Sequence, residues 1–232
     1  MQEPTTRALY DVQSRVYDHT FGALVQRRIS TAISHINIQA GDKVLDLGIG
    51  TGAALRYYPL DRGRIFGIDL SAGMLDLCIK RMDRLERTNA TVVQGNALQL
   101  PFADNSFDHV FISHVISVVS DPCQVVREAQ RVAKPQARIV MLNHFQSNNR
   151  LIAMVEKWLC PLCTKLGWRS DLALADLLRR TGAEVDYRFK LENIDLWETV
   201  VMSNNKSMLI GGGDTRGGYS RQTEAITGGM AA

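Results

Sequence analysis

Short apolar runs rich in β-branched residues alternate with longer helix-like stretches between Lys43 and about Asn143. This alternation is typical of βαβ units, in which a helix joins two parallel strands. Further along, a helix is predicted over 171–181, ended by Gly182, and two more apolar runs follow it. The predicted strands lie at 43–47, 64–68, 90–94, 107–112, 138–143, 184–190 and 197–202. Seven strands are therefore expected, and the last two should form an antiparallel hairpin.

The helices predicted between these strands carry apolar residues three or four positions apart, so each helix has one apolar face. These residues are Met74, Leu75, Cys78, Met82 and Leu85 in one helix, and Val125, Val126, Ala129 and Val132 in another. Helices of this kind cover the faces of a sheet. The expected fold is a mostly parallel, doubly wound (Rossmann-like) α/β sheet with helices on both faces.

Two helical segments stand outside this alternation and are candidates for a lid over a site. Before the first strand, apolar spacing predicts two helices with Gly22 near their junction. The second segment, residues 148–168, has an apolar stripe that Pro161 interrupts. The expected organisation is an N-terminal helical lid (1–40), a core (41–206) that includes a helical insertion over the site (148–168), and a Gly-rich flexible tail (207–232).

Composition narrows the class of protein. The 232 residues are 45% hydrophobic and 22% charged, which is ordinary for one large globular domain. A net charge of +3 is too small to indicate a nucleic-acid partner. No apolar run approaches a membrane span, and the polar start lacks the apolar stretch of a signal peptide, so a cytoplasmic protein is expected. Cys160 and Cys163 have no second pair or nearby His to complete a zinc site, so no metal is expected and the cysteines should be packing residues.

The sharpest motif is a glycine-rich turn that directly follows the first predicted strand, VLDLGIGTGA over residues 44–53. Glycines are needed where the backbone turns tightly and approaches a ligand. Gly48, Gly50 and Ala53 also fit the dinucleotide pattern, so a dehydrogenase is one alternative. Asp46 favours another ligand, because a carboxylate beside the turn repels a pyrophosphate but attracts an amino group or a sulfonium. S-adenosylmethionine has both positive groups and no phosphate.

The second half of such a site follows at the ends of the next two strands. Asp69 lies roughly 20 residues beyond the first glycine, where an acidic side chain can accept hydrogen bonds from both ribose hydroxyls. Asn96 and Ala97, after the third strand, are placed for the adenine, with Leu70 and Met74 as apolar walls. An Asp after a strand is often only a helix cap, but these residues occur together and in order.

From Tyr10 to Lys206 the chain resembles the class I S-adenosylmethionine-dependent methyltransferases. The resemblance is carried by DLGIGTG over 46–52, by Asp69 and by LPFADNSFD over 100–108. It implies S-adenosylmethionine as cofactor. The expected cofactor-binding residues are Tyr17, Asp46, Gly48, Gly50, Thr51, Gly52, Asp69, Leu70, Met74, Asn96, Ala97 and Ser113. Asn96 departs from the usual Asp, although its amide oxygen can still accept from the adenine amine.

Short motifs outside this set resemble the soluble bacterial phosphatidylethanolamine N-methyltransferases. They are YDHTFG over 17–22, VISVVSDP over 115–122, NHF over 143–145 and LGWRSDL over 166–172. The resemblance implies stepwise methylation of the ethanolamine headgroup towards phosphatidylcholine, by an enzyme held at the inner face of the membrane. The expected partner is thus a phospholipid at an anionic surface. The alternatives are a quinone or other small-molecule methyltransferase, and a non-catalytic protein that binds an adenosyl ligand.

Five residues are candidates for catalysis or for substrate binding. Tyr10 and Tyr17 are seven apart and share a helix face, where tyrosine rings suit a cation and a phenol can relay a proton. His144, after the fifth strand, is the third catalytic candidate, and His114 and Arg169 are candidates for substrate binding. For each of them a structural role is the alternative: helix packing for the tyrosines, a hydrogen bond for the histidines, and a solvated side chain for Arg169.

Residues 150–169 have the composition of an interfacial amphipathic helix. The apolar stripe is Leu151, Val155, Leu159, Leu162 and Leu166, and it is accompanied by Trp158, Trp168, Arg150, Lys157, Lys165 and Arg169. Rings and aliphatic side chains suit the acyl boundary, and cations suit lipid phosphate. Both this segment and the N-terminal lid are therefore expected to contact the membrane. The alternative is that the stripe packs on the protein's own core.

Overall fold

Seven strands form a single sheet in the part of the chain that the structure, a computed structural model, describes: residues 23–145, 172–192, 195 and 197–206. The strands are β1 (Lys43–Leu47), β2 (Arg64–Asp69), β3 (Ala90–Gln94), β4 (Phe107–Ser113), β5 (Ala133–His144), β6 (Val185–Phe189) and β7 (Trp197–Ser203). Their order across the sheet is β3-β2-β1-β4-β5-β7-β6. The first five are parallel to one another, and β7 is antiparallel to both β5 and β6. The predicted mostly parallel sheet is confirmed.

Helices cover both faces of this sheet. They are α1 (Ala23–Ser34), α2 (Ala72–Arg84), α3 (Pro122–Val132) and α4 (Leu174–Thr181), and a 3₁₀ helix covers Ala53–Tyr57. Side chains of α3 and α4 share one core cluster with Leu45 and Leu47 of β1. Side chains of α1 and α2 share the other cluster with Val44 of the same strand. Because successive strand residues face opposite sides, β1 contributes to both layers.

The helix ends follow local chemistry. The Ser71 side chain accepts a hydrogen bond from the Met74 N–H and caps α2, and Asp121 caps α3 through the Gln124 N–H. Helix α4 ends at Gly182, which has a φ of 65°, as the sequence predicts. It begins at Leu174 rather than at residue 171, because Ala173 has extended backbone angles.

The fifth strand begins earlier than predicted, at Ala133, directly after α3. Ala133 pairs with Phe107, and the register then shifts before Arg138 pairs with His109. Gln136 has a φ of 64° at this irregularity. The polar residues within the bulge interrupt the apolar run, so the pattern alone places the strand's start at its second half.

Several predicted segments lie outside the described residues: the chain before Ala23 with Gly22, the insertion 148–168, and the tail 207–232. The second predicted N-terminal helix is present as α1, and its residues Val25, Ile29, Ala32 and Ile33 are buried. Within the described ranges, the helices are too short or too polar for any of them to span a bilayer.

Candidate active site

A cleft opens where β1, β2, β3 and β4 end, on one edge of the sheet. It holds about 910 Å³ of empty space, part of which is open to solvent. The lining residues follow the four strand ends in turn: Gly48 and Gly50; Ile68, Asp69, Leu70, Ser71 and Met74; Gly95, Asn96 and Ala97; and Ser113, His114, Val115, Val118, Val119 and Ser120. Parallel strands place their carboxyl ends together, which is why residues far apart in sequence meet here.

The glycine turn after β1 leaves no room for a side chain. Gly48 has a φ of 77°, and a Cβ built on it would lie 2.0 Å from a methyl carbon of Val115. The Gly48 and Ile49 N–H groups both donate to the Ile68 carbonyl, at 2.8 and 3.1 Å, which ties the turn to the end of β2. The backbone itself therefore forms this wall of the cleft.

Asp69 has a fixed carboxylate at the end of β2. One oxygen accepts from the Gly50 N–H and the other from the Ser71 N–H, both at 2.9 Å. Ser71, not Asp69, caps the following helix, so the helix-cap alternative for Asp69 does not apply. Each carboxylate oxygen can accept more than one hydrogen bond, so the geometry suits a pair of vicinal hydroxyls.

Asn96 lies on the cleft wall after β3, beside Ala97. Its side-chain oxygen accepts from the Leu98 N–H at 2.8 Å, which fixes the orientation of the amide. An amide oxygen has two lone pairs, so the same atom can accept a second hydrogen bond. Leu70 and Met74 also line the cleft, as the sequence predicts. Together these residues suit an adenine ring with its exocyclic amine.

Asp46 does not line the cleft but lies behind it, with 1% of its surface exposed. One carboxylate oxygen accepts from the Tyr58 hydroxyl at 3.0 Å, and the other has no hydrogen-bond partner among the described residues. Burial raises the pKa of Asp46 to about 7; the Tyr58 hydrogen bond opposes this rise, and the nearby Asp69 adds to it. An ionised Asp46 thus lacks compensation for one of its oxygens.

Thr51 and Gly52 lie in the same layer behind the cleft and do not line it. The Thr51 side chain is buried and accepts from the Arg81 guanidinium at 3.3 Å. Gly52 has a φ of 76°, and a Cβ there would lie 2.8 Å from the sulfur of Cys78. These two residues hold the turn against α2.

His114 directly follows β4 and lines the cleft beside Ser113. Its φ of 60° is unusual for a residue other than glycine, and its ring lies edge-to-face with Trp197 at 6.3 Å between centroids. Burial, together with the positive charge of Arg28, lowers the pKa of His114 to about 4. The imidazole is therefore neutral at pH 7.

Comparison with known proteins identifies the family. A family model described as a methyltransferase domain matches residues 45–141. The chain is 34% identical over 160 residues to phosphatidylethanolamine N-methyltransferase of Cereibacter sphaeroides, a match that covers 68% of this chain and 78% of the relative. This chain belongs to the S-adenosylmethionine-dependent methyltransferases.

Two further matches fit this assignment. Demethylmenaquinone methyltransferase of Shouchella clausii (strain KSM-K16) is 38% identical over 117 residues, 49% of this methyltransferase and 50% of the relative. The structure of a SAM dependent methyltransferase from Aquifex aeolicus shares the fold, with a TM-score of 0.65, 18% identity, and coverage of 83% of this chain and 97% of that one. The glycine-rich turn after β1 is therefore that of a methyltransferase and not that of a dehydrogenase.

The residues of the cleft fit the cofactor of this family, S-adenosylmethionine. The fixed Asp69 carboxylate offers acceptors that suit a ribose, Asn96 and the apolar wall suit an adenine, and the glycine turn leaves the backbone open to a ligand. Asp46 and Asp69 provide negative charge for a ligand with two positive groups. Among the described residues, no cluster of metal-ligating side chains is present.

The remaining predicted residues of the methyltransferase are placed differently. His144 ends β5, is buried, and pairs across the sheet with Trp197 instead of lining the cleft. Tyr10, Tyr17 and Arg169 lie outside the described residues.

Sequence reasoning missed most of the wall after β4, which consists of Val115, Val118, Val119 and Ser120. It also missed three lining residues at the ends of β2 and β3, namely Ile68, Ser71 and Gly95. The VISVVSDP motif pointed to the wall after β4, but no spacing rule showed that its residues face the ligand. The segment turns back on itself through a hydrogen bond from the Val118 N–H to the Val115 carbonyl at 3.0 Å. This turn brings its valines to the cleft.

Proposed function

We propose that this methyltransferase transfers methyl groups to the ethanolamine nitrogen of phospholipids, from phosphatidylethanolamine towards phosphatidylcholine. The observation that carries the proposal is the similarity to the Cereibacter sphaeroides enzyme over most of that protein's length. The cleft is consistent with it, because the wall after β4 combines three valines with a neutral imidazole.

For each methyl transfer, one proton must leave the substrate ammonium, and water must be kept away from the reacting atoms. The cofactor supplies the methyl group, and the substrate nitrogen can accept it only after losing its own proton, because an ammonium has no lone pair. Neutral His114 can accept a hydrogen bond from the headgroup and orient it, although a pKa of about 4 makes it a weak base. Val115, Val118 and Val119 give that part of the cleft an apolar wall that disfavours water.

Tyr10 and Tyr17 are proposed catalytic residues, and Arg169 is the proposed phosphate ligand. His144 is also proposed as a catalytic residue, although the structure places it at the end of β5 and not in the described wall of the cleft. Tyrosine rings attract the cationic headgroup and its methylated products through their faces, and a phenol or an imidazole can relay the departing proton. The guanidinium of Arg169 suits a lipid phosphate because it can donate two parallel hydrogen bonds.

A quinone ring is the second candidate substrate. The similarity to the demethylmenaquinone methyltransferase, at 38% identity over a shorter match, favours it. The valine wall after β4 also suits a flat apolar ring.

Methyl transfer from labelled cofactor decides between these substrates. The protein is incubated with vesicles that contain phosphatidylethanolamine, with vesicles that contain demethylmenaquinone, and with vesicles of phosphatidylcholine alone as control. Label in mono-, di- and trimethylated lipid is the expected result. Label only in the quinone supports the second candidate, and tight cofactor binding without any transfer indicates a non-catalytic adenosyl-binding protein.

A further inference from the structure

A buried hydrogen bond joins Tyr58 to Asp46 directly behind the glycine turn. The Tyr58 hydroxyl donates to a carboxylate oxygen of Asp46 at 3.0 Å, and both side chains are at least 98% buried, with exposed fractions of 2% and 1%. Sequence reasoning gave Tyr58 no role. A buried carboxylate in need of hydrogen bonds gains most from a donor that is itself held in place.

Tyr58 is held at both ends. Its carbonyl oxygen accepts from the Arg87 guanidinium at 2.8 Å, which fixes the backbone after the 3₁₀ helix. Its ring meets Phe111 of β4 edge-to-face, with centroids 6.5 Å apart and planes at 85°. The hydroxyl therefore reaches Asp46 from a fixed direction and restrains the carboxylate.

The charges around Asp46 leave it short of a positive partner. The negative charge of Asp69 raises the pKa of Asp46, and no cation in the described part of the chain contributes to lowering it. The Arg81 guanidinium of α2 instead lowers the pKa of the nearby Cys78 thiol. Arg81 donates to Thr51. The second carboxylate oxygen of Asp46 is buried without a partner among the described residues. A ligand that brings a positive group to this side of the cleft would supply the missing compensation.

We propose that Tyr58 is a positioning residue for the cofactor: its hydroxyl holds the Asp46 carboxylate directly behind the glycine turn, where the negative charge of that carboxylate attracts the ammonium at the amino-acid end of the ligand. The adenosyl end is held separately, by Asp69 and by the wall after β3. This inference concerns the cofactor alone and holds for either candidate substrate, so its failure is distinguishable from a failure of the proposed function.

The pH dependence of ligand binding gives the proposal a measurable sign. With the pKa of Asp46 at about 7, the carboxyl group is mostly protonated at pH 6 and mostly ionised at pH 8. If the ammonium needs the ionised form, affinity rises by up to about tenfold between these values. Loss of the Tyr58 hydrogen bond raises the pKa of Asp46 further, because that bond favours the ionised form. Without that hydrogen bond, the rise of ligand affinity with pH should therefore occur at higher pH than in the parent protein.

The test compares two ligands of the purified protein by titration calorimetry from pH 5.5 to 8. S-adenosylhomocysteine has the amino-acid end, and methylthioadenosine lacks it. In Tyr58→Phe we expect about three- to tenfold weaker binding of S-adenosylhomocysteine at pH 7.5, a curve shifted to higher pH, and unchanged binding of methylthioadenosine. Tyr57→Phe, at the neighbouring half-buried tyrosine, is the matched control and should behave like the parent.

Three results would overturn the proposal: unchanged binding of S-adenosylhomocysteine in Tyr58→Phe, equal losses for the two ligands, or no pH dependence in the parent. If Tyr58→Phe does not fold, Asp46→Asn gives the answer. That variant keeps an acceptor for Tyr58 but cannot ionise, so a flat pH curve for S-adenosylhomocysteine supports the proposal and a parental curve contradicts it.

Discussion

Asp69 offers the most direct test of the cofactor site, because two backbone N–H groups already fix its carboxylate. Asp69→Ala removes both acceptors for the ribose, at about 1.5–3 kcal/mol for each charge-assisted hydrogen bond, so the dissociation constant should rise at least about a hundredfold. Calorimetric titration with S-adenosylhomocysteine measures this change.

Ser71→Ala is the control for Asp69→Ala. It removes the cap of α2, which should lower stability by about 1 kcal/mol with a much smaller effect on affinity. An unchanged dissociation constant in Asp69→Ala would refute the ribose assignment, whereas a loss of the same size in Ser71→Ala would indicate a general disturbance of the turn.

Tyr17→Phe and His144→Ala should affect turnover more than cofactor affinity, since the groups they remove, a phenol hydroxyl and an imidazole, are proposed to act on the amine. We expect Tyr17→Phe and His144→Ala to lower kcat strongly while the dissociation constant for S-adenosylhomocysteine changes little. His35→Ala, at a half-buried histidine that contacts Tyr187, is a control for the loss of an imidazole. Methylation of lipid at the parental rate by both variants would show that the substrate side is assigned wrongly.

At the scale of single residues, the sequence predicts cleft residues best where they lie at the ends of the parallel strands. Gly48, Asp69 and Asn96 line the cleft as expected, because each lies at or just after the carboxyl end of a parallel strand. Asp46 precedes its turn and lies within β1, on the face that carries Val44, so its side chain enters the layer of Tyr58 and Phe111. Position at a strand end predicts which edge a residue reaches, but the alternation of side chains decides which layer it joins.

Among the elements, α1 contacts the antiparallel end of the sheet through the cation of Arg28. The Arg28 Nε lies 2.9 Å from both carboxylate oxygens of Asp195, and its guanidinium lies over the Trp197 ring at 4.8 Å from the centroid. Trp197 in turn packs edge-to-face with His114. Helix α1 is therefore connected to the wall of the cleft by a chain of contacts from Arg28 through Trp197 to His114.

Arg28→Met should weaken this docking and change the titration of His114. Removing the cation leaves Asp195 buried without its ion-pair partner, which costs about 3–5 kcal/mol in a buried pair and less here, because Arg28 is partly exposed. The pKa of His114 should rise, since the Arg28 charge contributes to lowering it. Thermal unfolding and NMR titration of His114 measure the two effects.

Arg27→Met is the control for Arg28→Met, because the neighbouring arginine is exposed. It should leave both the melting temperature and the His114 titration near their parental values. If Arg28→Met also leaves both unchanged, the ion pair contributes nothing to docking.

The elements themselves were predictable because their apolar periodicities are long and regular. The start of β5 was not, since pairing through a bulge with polar residues produces no alternation. The wall after β4 could not be predicted for a related reason: a turn that brings valines to a cleft has no fixed period.

On the scale of the whole molecule, the proposed substrate requires the protein to reach a membrane surface. We expect co-sedimentation with anionic vesicles and weaker co-sedimentation with neutral ones. Lys157→Glu with Lys165→Glu should weaken this binding at least tenfold and make the remainder less sensitive to salt, since each basic residue near an anionic surface contributes about 1 kcal/mol. Turnover of lipid should fall in parallel.

Lys80→Glu with Arg84→Glu is the matched control for this charge reversal. Both residues are exposed on α2, and the substitutions change the net charge by the same amount. Equal losses in the two variants would indicate a general electrostatic effect. If the Lys157 and Lys165 variant sediments like the parent, the contact lies elsewhere, and the segment 10–21 is the next to test.

Each residue found to line the cleft in the described part of the chain lies between Gly48 and Ser120, so one continuous stretch forms this cleft. The antiparallel strands and α1 come from chain on either side of that stretch. A genetic recombination event with its breakpoint in β5 would therefore transmit the cleft intact while exchanging everything that follows. Such exchange would keep the described cofactor residues together while it replaces the antiparallel strands of the sheet.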